Sequence, residues 1–296
     1  MPLGLGAAAC PLSLPVGKAA GRYCLMIAGL SLFWLLLAAG FADAHTTVLF
    51  PLTDKNGRKI VKVIHFHPAT GSGLMGIRLG IDDSPKLKGL EEIFLIHRHK
   101  KQDLSSQAIP DYYTVRGEKR ETYSIPVNRQ SGFFKPGDYI LVVVHKVHWK
   151  KSEGLYRQKV AKLCLNFSGV VTDWPQRVLR GMPEIIPLVQ PYSVHAGTLF
   201  RAEAVDDEGR PLAHARVEIE YFNYPMGDRE LVTTGGSARL DSELAESVVF
   251  TSGDGSFSFI PPKKGLWTFT LVDGDDNRLF QGKRFEFDSS LSLLVK

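Results

Sequence analysis

From about residue 45 onward, apolar and polar positions along the chain change places every one or two residues. The stretch "RKIVKVIHFHP" alternates and follows an Asn56-Gly57 pair, a strong signal for a hairpin. "EEIFLIHRHKK" reads as a further strand, as does "FKPGDYILVVVHKVHW", which enters from a Pro136-Gly137 turn. "YRQKVAKLCLNF" alternates again and predicts a partner for it. Together these segments predict a β-sandwich over residues 45–170. The next stretch, "DWPQRVLRGMPEIIPLVQPYSVHAG", contains Pro175, Pro183, Pro187 and Pro191. Prolines at this density exclude a regular helix or a central strand, so residues 171–183 are expected to be a linker. Alternation resumes in "GTLFRAEAVDDEGRPLAHARVEIEYFN" and "ESVVFTSGDGSFSFIPPKKGLWTFTLVDGD", with turns at Asp207-Glu208-Gly209 and Gly253-Asp254-Gly255. This predicts a second sandwich over 184–287, interrupted by a mobile insertion at 226–245 and followed by a tail, 288–296. The expected fold class is all-β: two β-sandwich domains after an N-terminal signal-peptide helix.

That leading segment has a different pattern. "CLMIAGLSLFWLLLAAG", residues 24–40, is an unbroken apolar run preceded by Lys18 and Arg22 and followed by Ala42-Asp43-Ala44. A basic flank, an apolar core and an A-x-A site form a secretory signal, and the run is short against the ~20 residues of a spanning helix. Residues 1–44 are therefore expected to be removed on export to the periplasm, leaving a soluble mature chain that begins at His45. The alternative is an uncleaved anchor that holds the protein in the inner membrane by residues 24–40.

Composition narrows the picture slightly. Formal charge is +5, and Lys18, Arg22 and Asp43 leave +4 beyond residue 44. The basic residues are scattered, with none of the dense patches of a nucleic-acid binder. Of the cysteines, Cys10 and Cys24 lie in the leading segment. Cys164 alone remains, so the mature chain holds no internal disulfide and must rely on its core. Its place in an alternating run predicts a buried strand thiol. No G-x-S-x-G elbow, phosphate-binding loop, H-E-x-x-H or C-x-x-C occurs, and the glycines of "FHPATGSGLMG" are not followed by a helix. The chain is expected not to be an enzyme.

The candidate chemistry lies in the histidines. Six of the nine fall in close pairs: His65/His67, His97/His99 and His145/His148. On a strand, residues two apart share a face at about 6.6 Å, so each His-x-His pair is expected to present both rings to one side. His145 and His148 face opposite sides unless the chain bends. If Ala44 is the last residue removed, His45 gains a free α-amine with a pKa of about 7.7–8.0. It can then chelate one ion with amine and imidazole. Nitrogen donors suit nickel, cobalt, copper and zinc rather than calcium or magnesium. The expected metal set is His45, His67, His65, Met75 (a soft thioether), His145 and His148. His97 and His99 are weaker because Arg98, Lys100 and Lys101 repel a cation, and His195 and His214 read as isolated surface residues.

Two resemblances follow from these residues. Gly209 to Val217 and Asp254 to Phe257 resemble the G-x-P-L-x-x-A-x-V and D-G-x-F signatures of transthyretin-like or carboxypeptidase-regulatory-like modules. Over nearly all of 45–275, the chain resembles the NikK-like periplasmic components of energy-coupling-factor nickel and cobalt uptake transporters, a DUF-type family. That resemblance is carried by His45, "FHPATGSGLMG", "PGDYILVVVHKVHW", "MPEIIPLVQPY", "GRPLAHARVEIEYFN" and "DGSFSFIPPKKGLWTF". It implies an extracytoplasmic protein that binds Ni(II) or Co(II) as cargo, with Cu or Zn possible at the same nitrogens, and delivers it to a membrane permease. It also implies metal roles for His45, His67 and Met75. Many relatives carry a further histidine where this chain has Thr47, and some end in a membrane span for which "SSLSLLVK" is too short. The expected alternatives are a copper-dependent oxidative enzyme built on a terminal-histidine brace, and an anchored structural β-sandwich.

Overall fold

In a computed structural model, the described residues are 46–54, 56–66, 86–115, 118–151, 153–222, 246–273 and 278–296. The leading segment, the glycine-rich stretch 67–85 and the expected insertion at 226–245 lie outside them. Ala44–Lys296 forms one compact unit. Its regular structure is all β, as the alternation predicts, apart from three single-turn 3₁₀ helices among the described residues. No described helix is long and apolar enough to cross a membrane.

The described strands form three sheets. A four-stranded sheet pairs β1 (Thr46–Thr53) with β2 (Lys59–Phe66), then β6 (Glu118–Pro126), then β5 (Ile109–Val115). The β1–β2 hairpin turns through Asn56-Gly57 as expected, with Gly57 at φ +74°. A three-stranded sheet orders β10 (Glu184–Pro187), β11 (Phe200–Val205) and β14 (Ser256–Phe259). The third sheet is large. It runs β13 (Glu246–Phe250), β12 (Arg216–Tyr221), β15 (Gly265–Asp273), β17 (Lys283–Val295), β9 (Leu155–Phe167), β7 (Gly137–His145), β3 (Leu90–His97), β4 (Lys100–Asp103). Two short strands extend it, β8 (His148–Lys150) on β9 and β16 (Leu279–Phe280) on β17.

The large sheet therefore crosses the expected boundary between sandwiches without a break. Its seam is the parallel pairing of β17 with β9, from Phe285↔Tyr156 to Ser292↔Leu163. Residues 288–295, expected as part of a tail, belong to this strand and are largely buried. The short polar–apolar pattern of "SSLSLLVK" reads as a tail only if its partner, more than a hundred residues upstream, is unknown.

Each face of the large sheet carries its own core. β7 supplies both by alternation: Tyr139, Leu141 and Val143 to one side, Ile140, Val142 and Val144 to the other. This explains why "YILVVV" lacks a polar face. On the first side, Leu49, Val63, Tyr123 and Ile125 of the four-stranded sheet meet Ile93, Leu141 and Ala161. On the second, Phe200, Ala202 and Phe257 meet Val142, Cys164, Phe269 and Leu291. Burying a side chain such as Phe269 contributes about 1.5–3 kcal/mol. Cys164 is buried and unpaired, as predicted, and burial, the leading effect there, raises its thiol pKa to about 12.

The proline-rich connection is fastened down rather than loose. The Asp138 carboxylate accepts backbone N–H bonds from Thr172 (2.5 Å) and Asp173 (2.9 Å), and one from the Asn166 amide (2.6 Å). Glu184 accepts from Val178 (2.8 Å) and Leu179 (2.7 Å) while holding the buried Lys162 ammonium at 2.5 Å. Prolines cannot donate to a ladder, so acidic side chains supply the bonds that anchor this segment.

Candidate metal centre

At one end of the first core, two histidines from different sheets meet. His65 is the penultimate residue of β2 and half-buried, and His145 is the last residue of β7 and buried. Their rings lie edge to face, with centroids 5.2 Å apart and planes at 81°. The alternation in β2 that sends Val61 and Val63 into the core sends His65 the same way, and in β7 Tyr139, Leu141 and Val143 do the same for His145.

Tyr123 of β6 completes the described cluster. Its hydroxyl lies 2.9 Å from His145 Nε2. Burial pushes the Tyr123 phenol well above its ordinary pKa, so it stays protonated. Burial first, then the charges of Lys159 and His148, lower the His145 pKa to about 3, so its ring is neutral through the physiological range. Among the described residues, His145 Nδ1 makes no hydrogen bond. When Nε2–H donates to the Tyr123 oxygen, Nδ1 presents a lone pair. His145 is held from the backbone side as well, because Gln158 Nε2 donates to its carbonyl (3.1 Å) and to Glu91 (2.9 Å).

Thr47 sits directly opposite His65 in the β1–β2 register. It is buried, and its hydroxyl finds no hydrogen-bond partner among the described residues. The adjoining pair, Thr46↔Phe66, ends the described ribbon.

Of the expected ligands, the structure brings His65 and His145 together. His45, His67 and Met75 lie outside the described residues. His148 is exposed, at the start of β8. No group of three or more His, Cys, Asp or Glu residues suited to a metal occurs among the described residues. The expectation that His97 and His99 share one face of a strand is corrected. Arg98 and His99 have φ of 49° and 62° and form the two-residue turn between β3 and β4, closed by His97↔Lys100. Two left-handed residues are what such a turn demands, and here neither is the usual asparagine or glycine. His97 stacks on Tyr139 at 4.2 Å, and His99 Nδ1 lies 3.2 Å from the Gln176 side-chain oxygen. His195 and His214 are exposed in turns, as expected.

Tyr123 and Gln158 carry no mark in the sequence that singles them out, and Thr47 is marked only through the resemblance noted above. The usable signal was their parity: each lies on a strand whose alternate residues enter a core or oppose one that does.

The fold and this cluster define an all-β protein in which one wide sheet is flanked by two smaller ones, with paired imidazoles where two of them meet. The chain belongs to the family described as "Domain of unknown function (DUF4198)", which it matches over residues 42–273. No curated protein matches it. Among solved structures, one similar chain is described as "Ca2+-stabilized adhesin helps an Antarctic bacterium reach out and bind ice". It is 8% identical with a TM-score of 0.22, the match covering 86% of this chain and 49% of that one, so this chain spans about half its length. Another is the D0-D1 domain of Intimin, 7% identical with a TM-score of 0.21, over 84% of this chain and 97% of that one. Both are too distant to bear on fold or function.

Proposed function

We propose that this protein is a NikK-like periplasmic component that captures a divalent transition ion, nickel or cobalt, and passes it to an uptake permease. The observation that carries the reading is the His65–His145 contact at the open end of the β1–β2 ribbon. His45 and His67 are the chain neighbours of Thr46 and Phe66, the last pair of that ribbon. Three candidate nitrogen-bearing residues, His45, His65 and His67, thus lie in sequence at or next to that last pair, and β7 brings His145 to His65. His145 would offer Nδ1, with Tyr123 fixing the tautomer through Nε2, the usual way a partner group orients a metal-bound imidazole. His65 would offer a second ring, and His45 its amine and imidazole once export has removed residues 1–44. Such a set favours nickel, cobalt, copper or zinc by donor type, and the protein's task is to hold the ion rather than to react through it.

Calorimetric titration tests this directly. Protein beginning at His45 should bind nickel or cobalt, and the same protein with one residue added before His45 should bind at least about tenfold more weakly. Equal affinity of the two forms, or no binding by either, contradicts the reading. Tyr123→Phe should lower affinity about 10–100-fold without loss of fold. Unchanged affinity in that variant would remove Tyr123 from the site.

A further inference from the structure

The second core is not covered by strands everywhere. At its β3–β4 margin the cover is the proline-rich connection, residues 176–182, which contains no strand. Between this segment and the large sheet lies a cavity of about 320 Å³. Small-molecule sites run from roughly 300 to 1,000 Å³, so this one suits a small ligand. Its floor is apolar: Phe94 and Ile96 of β3, Val144 of β7, and Leu179 and Met182 of the connection. Met182 packs against the second core, and the other four belong to it.

The polar groups on its wall are donors short of acceptors. Gln176 Nε2 and Arg177 Nε are buried, and neither makes a hydrogen bond among the described residues. His99 orients the Gln176 amide, because its Nδ1 lies 3.2 Å from the amide oxygen and leaves the nitrogen as the free end. Arg177 Nη2 donates to the backbone carbonyls of Asp206 (3.3 Å) and Asp207 (2.6 Å). The carboxylates of those two residues are taken by Arg210 (2.8 Å) and Arg278 (3.2 Å). Arg180 is exposed, lines the cavity, and forms no ion pair among the described residues. Among the described lining residues one is acidic, Glu92. Lys101 holds it at 2.6 Å and also lies 4.0 Å over the Phe94 ring. Asp173, 3.8 Å from His99, is outside the lining. The wall thus carries two guanidiniums to which no carboxylate is paired.

We propose that this cavity binds a small organic carboxylate with an apolar body, such as an aromatic acid. The body would lie on Phe94, Ile96 and Met182, and the carboxylate would accept from Arg177 Nε, Gln176 Nε2 and Arg180. A guanidinium matches a planar carboxylate in shape as well as charge. A buried donor gains most from an acceptor, because leaving it unmet is costly. A neutral ligand leaves both arginine charges unanswered, and a bare inorganic anion leaves the apolar floor wet. The cavity shares no residue with the proposed metal site.

Fluorine NMR of Ala44–Lys296, one compact unit, titrated with 4-fluorobenzoate, tests this. Binding should saturate. 4-Fluorobenzamide keeps the ring without the charge and should bind at least about tenfold more weakly. Acetate keeps the charge without the ring, and as a competitor it should be at least about tenfold weaker. Arg177→Lys, which retains the charge and loses the planar Nε–H, should weaken binding about tenfold. Arg180→Gln, an exposed change that leaves the core untouched, should weaken it about threefold or more. Met182→Trp fills the space and should abolish saturation. Arg129→Gln, which lines no part of the cavity, should change nothing, and every variant should keep the parent's thermal melt. No saturable binding, or an amide that binds as well as the acid, overturns the proposal. Binding that Met182→Trp does not affect places the ligand elsewhere and also overturns it. Binding unchanged in both arginine variants makes the site apolar rather than anionic, with the same result, and decides the matter alone if Met182→Trp melts early.

Discussion

At the residue scale, what organises this molecule is where polar side chains are placed at the margins of the cores. Asp138 shows it best. Burial alone pushes its carboxyl up, but the donors from Asn166, Thr172, Tyr192 and Asp173 outweigh that and hold it below the usual carboxylate range. A carboxyl whose folded pKa is depressed stabilises the fold above its unfolded value of about 3.9 and loses that contribution as pH falls through the folded value. Asp138→Asn should therefore cost about 2 kcal/mol near neutral pH, with the deficit shrinking below about pH 4. Thermal melts of both proteins across that range check it, and a deficit that stays constant down to pH 3 would contradict the assignment. The histidine pair was partly legible at this scale. Position in an alternating run singled out His65 and His145, but no single-residue property could show that β2 and β7 bring their rings into contact. Thr47 was legible only through the NikK-like resemblance, as a departure from the histidine which that resemblance implies there. Tyr123 was not legible, because a tyrosine in an alternating strand has no sequence mark that separates packing from support of a neighbouring imidazole.

At the scale of elements, parity along strands predicted β2, β3, β7, β9 and β11 to β15, but no strand was read at β5, β6 or β17; turns were predicted well where their residues were conventional. Asn56-Gly57 folded as expected. Arg98-His99 did not, because left-handed backbone at two ordinary residues is fixed by the pairing of β3 with β4 rather than by local preference. The proline-rich connection was correctly denied a helix, yet its fastening to Asp138 and Glu184 depends on contacts distant in sequence. Glu184 is fully buried and serves both Lys162 and the backbone at 178–179. Removing one partner of such a pair strands the other charge, so Glu184→Ala should cost about 3–5 kcal/mol in chemical denaturation. A cost under about 1 kcal/mol would mean that the pair and its backbone bonds contribute little.

At the scale of the whole molecule, the all-β class was legible and the continuity of the large sheet was not. Two runs of strands separated by prolines read as two sandwiches. The parallel seam between β9 and β17 is the fact that no local pattern announces, since parallel partners can lie anywhere along the chain. It makes residues 288–295 part of the centre of the sheet. Deleting 288–296 would leave β9 and β15 without their shared neighbour and expose both cores. The expected outcome is a chain that loses cooperative thermal unfolding, and a normal melt would show the seam to be dispensable. An aromatic row of Trp149, Tyr156, Phe280 and Phe285 lies where this seam begins.

The central claim is that nickel, once bound, is held by imidazoles of both sheets. X-ray absorption at the nickel edge, on loaded protein beginning at His45, tests it most directly. The account predicts the multiple-scattering signature of several imidazoles, weakened in His65→Gln and again in His145→Gln. A nickel spectrum identical in the parent and both variants would contradict it.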